Sequence, residues 1–181
     1  MRIAFAGTHR VGKSTLLERV AEALEDHETV DEPYDLLEEE GYEVGEDPSL
    51  EDFEAQLERS LEVVEDGGAK VLFDRSPTDI VGYLLTHEDA GSFDEDDWIA
   101  PVREAMQSLD LVVFVPIEDP DRIALAAHED AELRLAVHEK LHELIVDRAL
   151  GFDTEVLVVT GGVEARVKQV LARVEERWRG V

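Results

Sequence analysis

The 181-residue chain carries 45 acidic residues against 17 basic ones, a formal net charge of −28. A surface this negative repels phosphodiester backbones, which excludes a broad nucleic-acid-binding face. The length suits one domain, residues 1–181, which buries roughly 70% of its unfolded surface and needs no disulfide; the chain has no cysteine.

At the N-terminus, Met1-Arg2 is followed by a short apolar run, Ile3 to Ala6, and then by glycine. A secretory leader needs a longer apolar stretch, so the expectation is a cytoplasmic protein. The longest apolar segment, Leu109 to Ile117, is interrupted by Asp110 and is too short to span a bilayer, so no membrane partner is expected.

Strand-like and helix-like patterns then alternate, the signature of a parallel α/β sheet. Arg2 to Ala6 reads as a strand. Gly12 to about Glu25 reads as a helix with Leu16, Leu17, Val20 and Leu24 on one face. Glu28 to Asp31 is a short strand leading to Glu32-Pro33. Ser49 with Asp52 reads as a capping box, opening a helix that carries Leu50, Phe53, Leu57, Leu61 and Val64 and ends at Gly67-Gly68. Lys70 to Phe73, Leu111 to Val115 and Glu155 to Val159 read as strands. Between them lie helices striped by Trp98, Ile99, Val102 and Met106, and by Leu133, Val137, Leu141, Leu144 and Ile145. A last helix is striped by Val163, Val167, Val170, Leu171, Val174 and Trp178. All three stripes are expected to pack in the core. Gly41 to Pro48 and His87 to Asp97 read as flexible acidic segments.

One motif carries chemistry. Gly7-Thr8-His9-Arg10-Val11-Gly12-Lys13-Ser14, followed by Thr15, matches the Walker A pattern. Gly7 and Gly12 let the backbone turn its N–H groups inward around a phosphate. Lys13 neutralises the outer phosphates, and Ser14 offers a hydroxyl to Mg²⁺. The helix that starts here adds its positive end. An apolar strand before the motif and an amphipathic helix after it strengthen the match, which points to ATP with Mg²⁺ as cofactors. His9 and Arg10 line the loop without an assigned catalytic role.

Such a loop needs an acid at the end of a neighbouring strand to hold the metal shell. Val71-Leu72-Phe73-Asp74 supplies Asp74, followed by Arg75, although an aspartate after a strand also serves as a helix cap.

Asp74-Arg75-Ser76 resembles the Asp/Glu-Arg motif of the nucleoside and thymidylate kinase group of P-loop proteins. Glu32-Pro33 resembles the Glu-Pro of deoxynucleoside kinases, whose glutamate accepts the proton of the attacking hydroxyl. Phe53 and Gln56 lie where those kinases place a base-reading glutamine. The Gly7 to Thr15 loop, and Asp74 to Pro77 with Asp79 and Tyr83, are also similar to small bacterial ATPase/kinase-like domains related to the ribosylnicotinamide kinase domain. The resemblance implies a three-layer α/β/α sandwich with a parallel sheet of about five strands in the order 2-3-1-4-5. It also implies a kinase acting on a small hydroxyl-bearing acceptor, a nucleoside or nucleotide, with a homodimer left open.

On that resemblance Lys13, Glu32, Asp74, Arg75, Arg122 and Arg134 are the catalytic candidates. Glu32, Gln56 and Arg75 are the acceptor-binding candidates, and Ser14 and Asp74 the metal ligands. The chain departs from the pattern in its lid, where Asp121 to Arg134 holds only Arg122 and Arg134, and at Tyr34, where those kinases often have tryptophan. A nucleotide-dependent regulatory ATPase acting on a protein is the alternative. The sequence contains no asparagine, which excludes both the guanine-reading motif of Ras-type GTPases and the catalytic-loop asparagine of protein kinases.

Overall fold

In a computed structural model, which describes residues 1–45, 48–123, 125 and 130–179, five parallel strands form one sheet in the order β2-β3-β1-β4-β5. The strands are β1 (Arg2–Ala6), β2 (Glu28–Val30), β3 (Val71–Asp74), β4 (Leu111–Phe114) and β5 (Glu155–Val158). The helices are α1 (Lys13–Ala21), α2 (Pro33–Glu39), α3 (Leu50–Asp66), α4 (Pro77–Thr86), α5 (Glu95–Gln107), α6 (Ala131–Leu141) and α7 (Val163–Arg179). The expected sandwich and strand order are therefore observed.

Strand residues alternate between the two faces of the sheet, which divides the core in two. Ile3, Phe5, Leu72, Leu111 and Val113 point to the face covered by α1 and α7, where Leu16, Val20, Val170 and Val174 are buried. Ala4, Ala6, Phe73, Val112 and Phe114 point to the other face, against Leu57, Ile80, Leu84, Met106 and Leu141. Both faces of the central strands β3, β1 and β4 are covered, so these read as near-continuous apolar runs, while the edge strands β2 and β5 stay partly exposed. Among the described residues no helix is long and apolar enough to cross a membrane.

Several expectations shift. The first helix is regular from Lys13 to Ala21 rather than to Glu25, because its last residues tighten into i→i+3 bonds, Ala23 N–H to Val20 and Leu24 N–H to Ala21. Helices α2 and α4 are additional to the expected elements; they begin directly behind Glu32-Pro33 and Ser76-Pro77, where proline sits at the first helical position. The segment His87 to Asp97 is not a plain loop: it holds a 3₁₀ turn, Ala90–Ser92, and the start of α5. Of Gly41 to Pro48, Glu46 and Asp47 lie outside the described residues. Trp178, Leu133 and Val163 are exposed by 54%, 39% and 36%, so none is core as their stripes implied. The Ser49 capping box forms in both directions, the Asp52 N–H to Ser49 Oγ and the Ser49 N–H to the Asp52 carboxylate.

Candidate active site

The glycine loop leaves β1 between its neighbours β3 and β4. Gly7 has φ 141°, and a Cβ there would stand 2.4 Å from the Val115 carbonyl oxygen, so only glycine fits. Gly12 (φ 85°) and Arg10 (φ 56°) complete the turn. Two groups of α4 hold the loop from one side. Asp79, fully buried, accepts from the Gly7 N–H at 2.7 Å and from Ser76 Oγ at 2.6 Å; the Tyr83 hydroxyl accepts from the His9 N–H at 3.1 Å. Burial raises the Asp79 carboxyl, against the pull of Arg75 and Lys13.

Helix α1 opens without a side-chain cap and with no acid in its first turn. Among the described residues, the other six α-helices each carry an acid there. In so acidic a chain, a helix end with no acid in its own first turn is the end suited to an anion. Lys13 is buried and donates to the Thr8 carbonyl at 2.9 Å. Burial first, then Arg75, lowers its ammonium to about 8.

Asp74 ends β3 and pairs in register with Phe5 of β1, so it stands beside the loop. The Ser14 hydroxyl bonds its carboxylate, and the buried Asp74 Oδ1 has no partner among the described residues. Burial raises the Asp74 carboxyl and Ser14 opposes the shift. Asp74 is not a helix cap; Ser76 caps α4. A hydroxyl and an unpartnered carboxylate oxygen are a fitting donor pair for Mg²⁺, which prefers oxygen. Among the described residues no three acid or imidazole groups gather to hold a metal alone. A metal here would complete its shell with phosphate and water oxygens.

Glu32 ends the β2 exit and meets Arg75 across the cleft, Arg75 Nε donating to its carboxylate at 2.6 Å. Burial alone would raise the Glu32 carboxyl, but Arg75 and Lys13 hold it below the usual glutamate range. Arg75 takes φ 86°, a strained value for a non-glycine residue, and lies 5.4 Å over the Tyr83 ring. Its Nη1 is buried without a partner among the described residues.

Beside this pair a cavity of about 260 Å³ is lined by Glu32, Arg75, Phe53, Gln56, Tyr83 and Leu133, among others. Phe53 and Tyr83 stack at 5.4 Å with 11° between the rings. Gln56 is buried and donates to the Asp52 carbonyl.

The lid arginines lie elsewhere. Arg122 is exposed and donates to Glu118 at 2.6 Å rather than lining the cavity. Arg134 is buried against the loop, donating to the carbonyls of His9 at 3.1 Å and Arg10 at 3.0 Å. Arg166, which the sequence reading passed over, donates to the Val11 carbonyl at 2.6 Å. Its signal was present: Arg166 shares a helical row with Val170 and Val174, both fully buried. Arg134 shares one with Val137 and Leu141 in the same way.

Solved structures share this fold. Deoxyadenosine kinase from M. mycoides, with dCMP and a flexible dCDP bound, superposes with a TM-score of 0.69 at 15% identity, over 97% of this chain and 100% of that one. Shikimate kinase from Aquifex aeolicus gives 0.59 at 17% identity, over the whole of both chains. The NadR protein in complex with NAD and AMP-PNP gives 0.65 at 18% identity, over 99% of this chain and 49% of NadR. Among curated proteins, none matches the sequence. The family model described as an AAA domain matches residues 2–166, and the chain belongs to that family, with the fold of a P-loop nucleoside/nucleotide kinase-like domain.

Proposed function

We propose that the protein is an ATP- and Mg²⁺-dependent P-loop phosphotransferase that phosphorylates a hydroxyl of a nucleoside-like small molecule. The observation that carries this reading is the placement of Glu32, ionised and fixed by Arg75, between the phosphate loop and an aromatic cavity. The lining acid and arginine of that cavity neutralise each other. A planar, uncharged ring with a hydroxyl therefore suits it better than an acid or a further phosphate. The ring would lie along the aromatic wall, with Gln56 in reach of its polar edge.

In the reaction the acceptor oxygen forms a bond to the γ-phosphorus, the bond to the β–γ bridging oxygen breaks, and ADP leaves. The hydroxyl proton passes to the Glu32 carboxylate. Lys13 and Arg75 offset charge on the transferring group, and positioning of this kind supplies most of the catalysis in phosphoryl transfer. Mg²⁺, held by Ser14 and Asp74, would neutralise phosphate charge.

A regulatory ATPase acting on a protein partner is the second reading. It is favoured by the lid, where Arg122 and Arg134 are engaged with Glu118 and with loop carbonyls. Measuring ADP release across nucleosides, nucleotides and other small alcohols separates the two. Strong stimulation by one compound, abolished in Lys13→Ala, is expected. Flat basal turnover with every compound would select the regulatory ATPase.

A further inference from the structure

We propose that Arg134 and Arg166 are positioning residues that aim the phosphate loop by holding three successive carbonyls, those of residues 9, 10 and 11, from outside. The proposal rests on the reading of this loop as a nucleotide site. A peptide group points its N–H and C=O in opposite directions. A loop that turns N–H groups toward a phosphate must therefore send carbonyls outward, and some of these end up away from water.

Two guanidinium groups meet them here. Arg134, from α6, takes the His9 and Arg10 carbonyls at 3.1 and 3.0 Å. Arg166, from α7, takes the Val11 carbonyl at 2.6 Å. Their side chains are only 4% and 7% exposed. Arg10 sits between the bonded carbonyls at φ 56°, a conformation uncommon for a non-glycine residue.

Each arginine is in turn anchored by an acid from the segment that follows β4. Asp121 pairs with Arg134 at 2.5 Å, and Glu118 pairs with Arg166 at 2.8 Å. Glu118 also accepts from the Gly161 N–H at 2.7 Å. The exit of β4 is thus the plate to which the loop is fixed, by way of two helices distant in sequence. Buried ion pairs add little to stability on balance, whereas the guanidinium fork fixes direction, bridging acid and carbonyl at once. This role differs from that of a lid arginine that touches the transferring phosphoryl group.

The test is the Kd of the fluorescent nucleotide mant-ADP with Mg²⁺ in the full chain, together with the amide ¹H–¹⁵N signals of Gly12 and Lys13 without nucleotide. Arg134→Lys and Arg166→Lys keep the charge and one bond but lose the fork. Each should weaken binding about tenfold, the scale of one charge-assisted hydrogen bond. Each should also move both amide signals. Arg173→Lys, farther along α7 where it pairs with Glu155 and Glu176, is the control and should change neither. Where a lysine variant fails to fold, Glu118→Gln loosens Arg166 while keeping shape, and should weaken binding about threefold. Wild-type Kd and unmoved amide signals in these variants would overturn the proposal alone. Failure of the wild type to bind mant-ADP would overturn the nucleotide reading and this proposal together.

Discussion

The pair Glu32 and Arg75 and the buried Lys13 share one electrostatic cluster, and each residue sets the state of the others. Arg75 and Lys13 keep Glu32 ionised, so on the proposed reading it would serve as the proton acceptor at neutral pH. Glu32→Gln keeps the shape and removes the acceptor. Single-turnover transfer to the stimulating compound should then fall about 10²–10⁴-fold with nucleotide affinity nearly unchanged; a wild-type rate would place the base elsewhere. Lys13 gives a pH prediction. Its ammonium is lowered from 10.5 to about 8 in the folded chain, so between those values the unfolded chain binds the proton that the folded one has lost. Folding of the nucleotide-free protein is favoured as pH rises through that window. Bound phosphates favour the ammonium, so nucleotide binding near pH 8 should take up a proton and weaken as pH rises. Calorimetry at pH 8 in two buffers of different ionisation enthalpy reads this directly, and equal heats would count against it. Glycine spacing made the loop legible in sequence, because its residues are contiguous. The arginines that hold it come from 125 and 155 positions away, so a linear motif has no means of showing them.

At the scale of elements, strand and helix types were legible wherever periodicity ran long enough, as in α3, α5 and α7. The short α2 and α4 escaped because each follows a strand end at once, and α4 is buried almost all round. Seven of its ten residues are buried, so it shows no polar face to set a helical period. Helix α4 matters most to the site, since it carries Asp79 and Tyr83 and packs on α6, which carries Arg134. Gly82 is a point of tight contact between them: a Cβ there would stand 2.5 Å from Leu141 Cδ2, and Leu141 is fully buried. Gly82→Ala would gain about 1 kcal/mol of helix propensity. Overpacking a core costs about 1–3 kcal/mol and should win, because Leu141 is fully buried and its Cγ as well as its Cδ2 would be crowded. The expected result is a Tm lowered by a few degrees, about 2–4 °C per kcal/mol for a domain of this size. A raised Tm would show that α4 and α6 separate freely and that their spacing does not constrain the loop.

For the whole molecule the dominant quantity is charge. Composition gave the excess of acids without saying where they sit, and among the described residues acids stand in the first turn of six of the seven α-helices, where the helix dipole favours negative charge. Local placement is therefore favourable while the global sum is not, since 45 acids face 17 basic residues. Added salt acts on both terms. It weakens exposed ion pairs such as Lys70 with Asp26, which contribute roughly 0–1 kcal/mol each. It also screens the mutual repulsion of the unpaired acids, as the Debye length falls from about 10 Å at 0.1 M to about 3 Å at 1 M. The basic residues are too few to pair with more than a minority of the acids, so relief of repulsion should outweigh the loss of pairs. Tm should rise steadily in NaCl from 0.1 to 1 M. Chloride is the salt to use, because sulfate stabilises folded proteins by exclusion whatever their charge. The same screening should speed the approach of an anionic nucleotide to an acidic protein, so its association rate should climb with salt rather than fall. A Tm that stays flat or declines over this range would mean that the acids are already compensated in the folded state, and the salt-dependent on-rate would be lost with it.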